Sequence, residues 1–91
     1  MIRQSVLVIN RLGLHARAAA KLVRLATRYS SEVHLSREEQ NQHIDAKSIL
    51  GVLMMAASQG TRIAVSIDGE DEVEAGAAIC GLFESGFGEE V

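Results

Sequence analysis

His15 is the residue of this chain whose surroundings best suit chemistry. It follows Gly13 and Leu14, precedes the small residues Ala16, Ala18, Ala19 and Ala20, and has Arg17 two positions on. A strand-like apolar run stops just before it and an alanine-rich helical stretch starts just after. A histidine at such a junction faces backbone N–H groups that have no helical acceptor, at the positive end of the helix dipole. An anion on its ring would be held there, and Arg17 adds a second positive contribution. Neutral imidazole is nucleophilic near neutral pH, its ordinary pKa being about 6.5, so the arrangement suits reversible phosphoryl exchange. A bare metal cation would meet the same N–H groups and guanidinium with the wrong sign. A structural histidine at a helix cap is the competing reading of the position.

Elsewhere the spacing supports less. His34 lies on the polar side of a strand pattern and His43 near a hairpin, and no HxxxH, CxxC or carboxylate run gives a metal spacing. No metal or cofactor is expected. Cys80 is the only cysteine, so an intramolecular disulfide is excluded, and it reads as a small buried residue on the last helix. Ser48 stands before an apolar helical run and has two compatible roles. As a cap its hydroxyl accepts a backbone N–H two or three residues on, worth about 1 kcal/mol. As a modification site it would set roughly two negative charges beside Ile49, Leu50 and Leu53.

The elements that must position these residues follow from periodicity. Residues 5–9 form an aliphatic run of strand length, ended by the turn residues Asn10 and Gly13. Residues 16–29 carry apolar Ala19, Leu22, Val23 and Ala26 at helical spacing, with Lys21, Arg24 and Arg28 on other faces. Val33 and Leu35 alternate with polar neighbours, and residues 43–45 can return beside them as a hairpin. Residues 48–58 are apolar on more than one face, which leaves side chains exposed in so small a domain. Ile63, Val65 and Ile67 mark the clearest strand, and acidic residues 70–72 open a final helix with Val73, Ala77, Ile79 or Cys80, and Phe83 as its buried stripe. The order is βαββαβα: an α+β open-faced sandwich, with a four-stranded antiparallel or mixed sheet and three helices on one face. The 91 residues make one domain, 1–91, with 85–91 a flexible tail. The formal charge of −3 argues against a nucleic-acid partner. With no signal peptide or membrane-spanning apolar stretch, the expected compartment is the cytoplasm.

Two stretches, Gly13-Leu14-His15-Ala16-Arg17-Ala18-Ala19 and Asp45-Ala46-Lys47-Ser48-Ile49-Leu50-Gly51-Val52-Leu53, followed by Ala57-Ser58-Gln59-Gly60-Thr61, resemble the histidine-containing phosphocarrier protein (HPr) family of the phosphotransferase system. The match in order and spacing runs from about Ser5 to Phe83. The resemblance implies a monomeric phosphoryl carrier rather than an independent enzyme. His15 would be phosphorylated through Nδ1 and Arg17 would stabilise the phosphate, with Ser48 the target of a dedicated serine kinase or phosphorylase. It implies an upstream enzyme I, charged from phosphoenolpyruvate, and a downstream enzyme IIA. The family has proline where this chain has Ala18, which leaves the start of the helix less rigid. The Arg11-Leu12-Gly13-Leu14 approach looks closer to the nitrogen-related branch, NPr. The expected docking surface sets His15 and Arg17 beside Leu14, Ile49, Leu50 and Leu53, edged by Lys21, Arg24 and Lys47. The alternative is an HPr-like regulatory module, never phosphorylated, that binds through its apolar second helix.

Overall fold

A computed structural model describes residues 1–89 of the chain, and β-branched residues on alternate positions build its sheet. Four strands, β1 (Ile2–Leu7), β2 (Glu32–Arg37), β3 (Ile44–Asp45) and β4 (Arg62–Asp68), hydrogen-bond in the order β1-β4-β2-β3. Every pairing is antiparallel, which settles the antiparallel-or-mixed alternative. Val6, Val33, Leu35, Ile63, Val65 and Ile67 all point to one face and are buried. The opposite face carries Arg3, His34, Arg62 and Ser66, which are exposed or half-buried. Period-two alternation therefore decided which side of the sheet is wet.

Helices α1 (Ala16–Thr27), α2 (Ile49–Met55) and α3 (Glu72–Glu84) supply the other layer. Helix α1 buries Ala18, Ala19, Leu22 and Ala26, and the alanines bring its early turns close to the core. Helix α2 ends at Met55 rather than near Ser58, because Ala56 takes a left-handed conformation (φ +50°) and its N–H turns back to Leu53. On α3 the buried residues are Ala75, Gly76, Ile79 and Phe83, whereas Val73 is 66% exposed. The expected stripe from Val73 through Ala77 is thus rotated: Gly76 faces Ile67 and Gln4, where its lack of a side chain lets the helix lie close to the sheet. Among the described residues, no helix is long and apolar enough to cross a membrane.

Over residues 85–89 the expected tail takes a defined course; residues 90 and 91 lie outside the described part. Gly86, Phe87 and Gly88 all have positive φ (+64°, +59° and +70°), forming a short 3-10 turn that reverses the chain after α3. A left-handed phenylalanine costs roughly 1–2 kcal/mol. Burying its ring returns about 2–3 kcal/mol: Phe87 is 1% exposed and meets Phe83 edge to face, with centroids 5.0 Å apart. The buried aromatic ring is what holds this segment.

Candidate functional site

The loop ahead of α1 is locked before His15 begins. Asn10 is fully buried, and its Nδ2 donates to the Gly13 carbonyl at 2.8 Å while the Gly13 N–H donates to the Asn10 carbonyl at 3.1 Å. Gly13 has φ +65°, and a Cβ there would run into the Ala57 carbonyl, so both conformation and space require glycine. The Leu14 N–H donates to that same carbonyl at 2.9 Å. Leu14 is 3% exposed, so its expected place on a docking surface is corrected: its side chain anchors the loop in the core. His15 is then the N-cap of α1 in extended conformation (φ −78°, ψ −178°), and its carbonyl accepts the Ala19 N–H at 2.8 Å. Ala18, where the resemblance implies proline, is buried and leaves the helix start where it was expected.

Both ring nitrogens have partners, and together they assign the tautomer. Nδ1 lies 3.3 Å from the Arg17 N–H, which donates to it. Nε2 lies 2.7 Å from Oε2 of Glu89, and Oε1 of the same carboxylate accepts from Asn10 Nδ2 at 3.0 Å. Burial pushes the Glu89 carboxyl up, but hydrogen bonds from Asn10 and His15 and the nearby Lys21 charge help to hold the group below its ordinary value. An ionised carboxylate only accepts, so Nε2 carries the hydrogen and the Nδ1 lone pair points toward the helix N-terminus. Glu89, Asn10 and Phe87 were missed as site residues, since Glu89 is 74 positions from His15. A buried asparagine next to the motif and an aromatic residue in the supposed tail were the available signals.

The surroundings are cationic. Arg11, Arg17 and Lys21 line an open hollow of about 480 Å3 together with Leu12, Gly88 and Glu89. Lys21 also donates to the Phe87 carbonyl at 2.6 Å, tying α1 to the reversed C-terminal segment. Among the described residues the Arg17 guanidinium has no ion-pair partner and is exposed. The site can therefore offer one nucleophilic nitrogen, the unbonded N–H groups of the first turn of α1 and an unengaged guanidinium to an incoming anion.

Ser48 is the N-cap of α2, and its Oγ accepts the Gly51 N–H at 3.1 Å. Ile49, Leu50 and Leu53 are exposed (44%, 65% and 36%), joined by Met54 at 74% and, on the loop before His15, by Leu12 at 70%. The expected juxtaposition of the two helix starts is corrected. The end of α2 meets the start of α1 through Leu14 and Ala57, whereas Lys47 at the start of α2 donates its ammonium to the Tyr29 carbonyl beyond the end of α1, at 2.8 Å. The two helices thus run in opposite directions, and half-buried Lys47 is a tether rather than a free rim cation. Lys21 is half-buried and Arg24 exposed on α1. Folding also stacks His34 on His43, ring centroids 3.8 Å apart and 18° from parallel. Among the described residues no group of three or more metal-ligating side chains forms.

Comparison with known proteins bears on the family and the fold. The family profile described as "PTS HPr component phosphorylation site" matches residues 2–85. The phosphocarrier protein HPr of Xylella fastidiosa (strain 9a5c) is 49% identical over 90 residues, covering 99% of both chains. The phosphocarrier protein NPr of Klebsiella oxytoca is 39% identical over 89 residues, covering 98% of both. Among solved structures, HPr-C-His from Thermoanaerobacter tengcongensis superposes with a TM-score of 0.93 at 40% identity, covering all of both chains.

Proposed function

The chain belongs to the HPr family of the phosphotransferase system, and from that premise we propose that it is a phosphoryl carrier whose acceptor atom is His15 Nδ1. In the transfer, the Nδ1 lone pair forms the new bond to phosphorus as the donor's bond to phosphorus breaks. No proton need move, because Nε2 keeps its hydrogen on Glu89. The incoming phosphoryl oxygens meet the free N–H groups at the start of α1 and the Arg17 guanidinium, which stabilise charge without covalent chemistry. Onward transfer reverses these steps on a different acceptor.

An enzyme I, charged from phosphoenolpyruvate, is the upstream partner, and an enzyme IIA type protein is the downstream one. Exposed Ile49, Leu50, Leu53 and Met54 supply the apolar centre of the docking surface, with exposed Arg24 of α1 contributing positive charge, whereas Lys21, like Lys47, is tied to a backbone carbonyl. Ser48 is the regulatory phosphorylation site. Identity favours the HPr-named relatives over the NPr one, so the nitrogen-related leaning is not carried forward.

The observation that carries this reading is the two-sided hold on the His15 ring, which leaves Nδ1 as its only lone-pair nitrogen. Incubation with the cognate upstream enzyme and phosphoenolpyruvate is expected to give an acid-labile, base-stable adduct on His15. Its absence with active enzyme would remove the proposal.

A further inference from the structure

Charge accounting at the ring leads beyond the acceptor assignment, and rests on it. If Nδ1 takes the phosphoryl group while Nε2 keeps its hydrogen, the ring becomes a phosphoimidazolium cation. Loss of the Nε2 proton would make the ring neutral, but the group expelled on onward transfer would then be an imidazolate, a far poorer leaving group than neutral imidazole. An anion on Nε2 would hold that proton in place through the cycle. One is present: Glu89 Oε2 is 2.7 Å away, and its side chain is only 12% exposed, so water screens the pair incompletely.

The carboxylate is held from three directions. Asn10 fixes its other oxygen, Lys21 pins the Phe87 carbonyl two residues earlier, and the Phe87 ring is buried against Phe83. Ordering such a segment costs backbone entropy, and it is ordered where its carboxylate reaches the ring. We propose that Glu89, carried on residues 85–89, is a positioning residue that directs phosphoryl transfer to Nδ1 and keeps Nε2 protonated while the group is carried.

Glu89→Gln separates charge from shape, since the amide keeps the size and can either accept from or donate to Nε2. In the uncharged protein, 15N spectra of the His15 ring are expected to show the Nε2–H tautomer in the wild type and a mixture in the variant. With the cognate upstream enzyme and phosphoenolpyruvate, kcat for charging is expected to fall about tenfold at nearly constant KM, and Glu89→Asp should recover part of the loss. A dominant Nδ1–H tautomer in the wild type would overturn the proposal, as would a Gln variant matching wild type in both spectrum and kcat. If wild type itself takes no phosphoryl group, the carrier assignment fails instead, and the tautomer spectrum alone decides the role of Glu89.

Discussion

Helices α1 and α2 begin alike, each with a side chain from its N-cap accepting a backbone N–H of the first turn, yet the two starts are held in different ways. Ser48 is self-contained: its hydroxyl reaches Gly51 three residues on at 3.1 Å, and the helix it opens has seven residues, of which Leu50 and Met54 are largely in water. His15 makes the longer contact of the two, 3.3 Å to Arg17, and a ring is a poorer cap than a hydroxyl. What fixes it comes from elsewhere in the chain: Ala57 after α2 holds the preceding loop, and Glu89 holds the far nitrogen. A cap that served only its helix would need none of this. The difference teaches that one helix start is built to end a helix cleanly and the other to present a nitrogen.

The hardest test of that contrast is to remove each cap. His15→Ala is expected to abolish charging by the upstream enzyme entirely while the protein still melts cooperatively; Ser48→Ala should cost about 1 kcal/mol of stability and leave charging intact, both read by denaturant unfolding and radiolabel transfer. If Ser48→Ala lost charging as well, the two starts would not be separable. Phosphorylation of Ser48 should act differently from its removal. The added charge suits the helix dipole but faces a partner meeting an apolar surface, so a several-fold fall in kcat/KM with nearly unchanged melting is expected. Equal charging of both forms would leave Ser48 as a cap alone.

A third helix start sharpens the comparison. Asp71 is the N-cap of α3 but makes no cap bond; its carboxylate accepts from the Ser30 and Ser31 N–H groups at 2.9 and 3.0 Å and from the Ser31 hydroxyl. The Ser31 hydroxyl first, then the Ser30 and Ser31 N–H groups, lower its pKa from 3.8 to about 2 against an opposing effect of burial. A depressed native pKa gives stability that is present above the unfolded value and is lost as pH falls from about 4 toward 2. Asp71→Asn should lower the melting temperature at neutral pH and flatten its decline across that window. The smallest effect belongs to Ala18: the Ala18 N–H lies in the first turn, ahead of the first helical donor at Ala19, so Ala18→Pro should stabilise by about 0.4–1 kcal/mol, measured by denaturant titration.

What was legible in the sequence was what is local. Alternation marked Ile63, Val65 and Ile67, helical spacing marked Leu22 and Ala26, and Gly13-Leu14-His15 marked the junction, because in each case the cause lies within a few residues. Val73 was misplaced because α3 is apolar on several sides, and only contact with the sheet selects Gly76 and Ile79 as its inner face. Leu14 and Lys47 were misread for a similar reason: Ala57 and Tyr29, which determine where they go, are remote in sequence. Glu89 is the extreme case. Nothing near it says histidine, and its meaning appears only when Phe87 folds the chain end back.

The most direct test of the account is to charge 15N-labelled protein with the upstream enzyme and phosphoenolpyruvate and to read the one-bond 15N–31P coupling on the His15 ring. The account predicts phosphorus on Nδ1 with a hydrogen still on Nε2. Phosphorus on Nε2, or on any other residue, would contradict it.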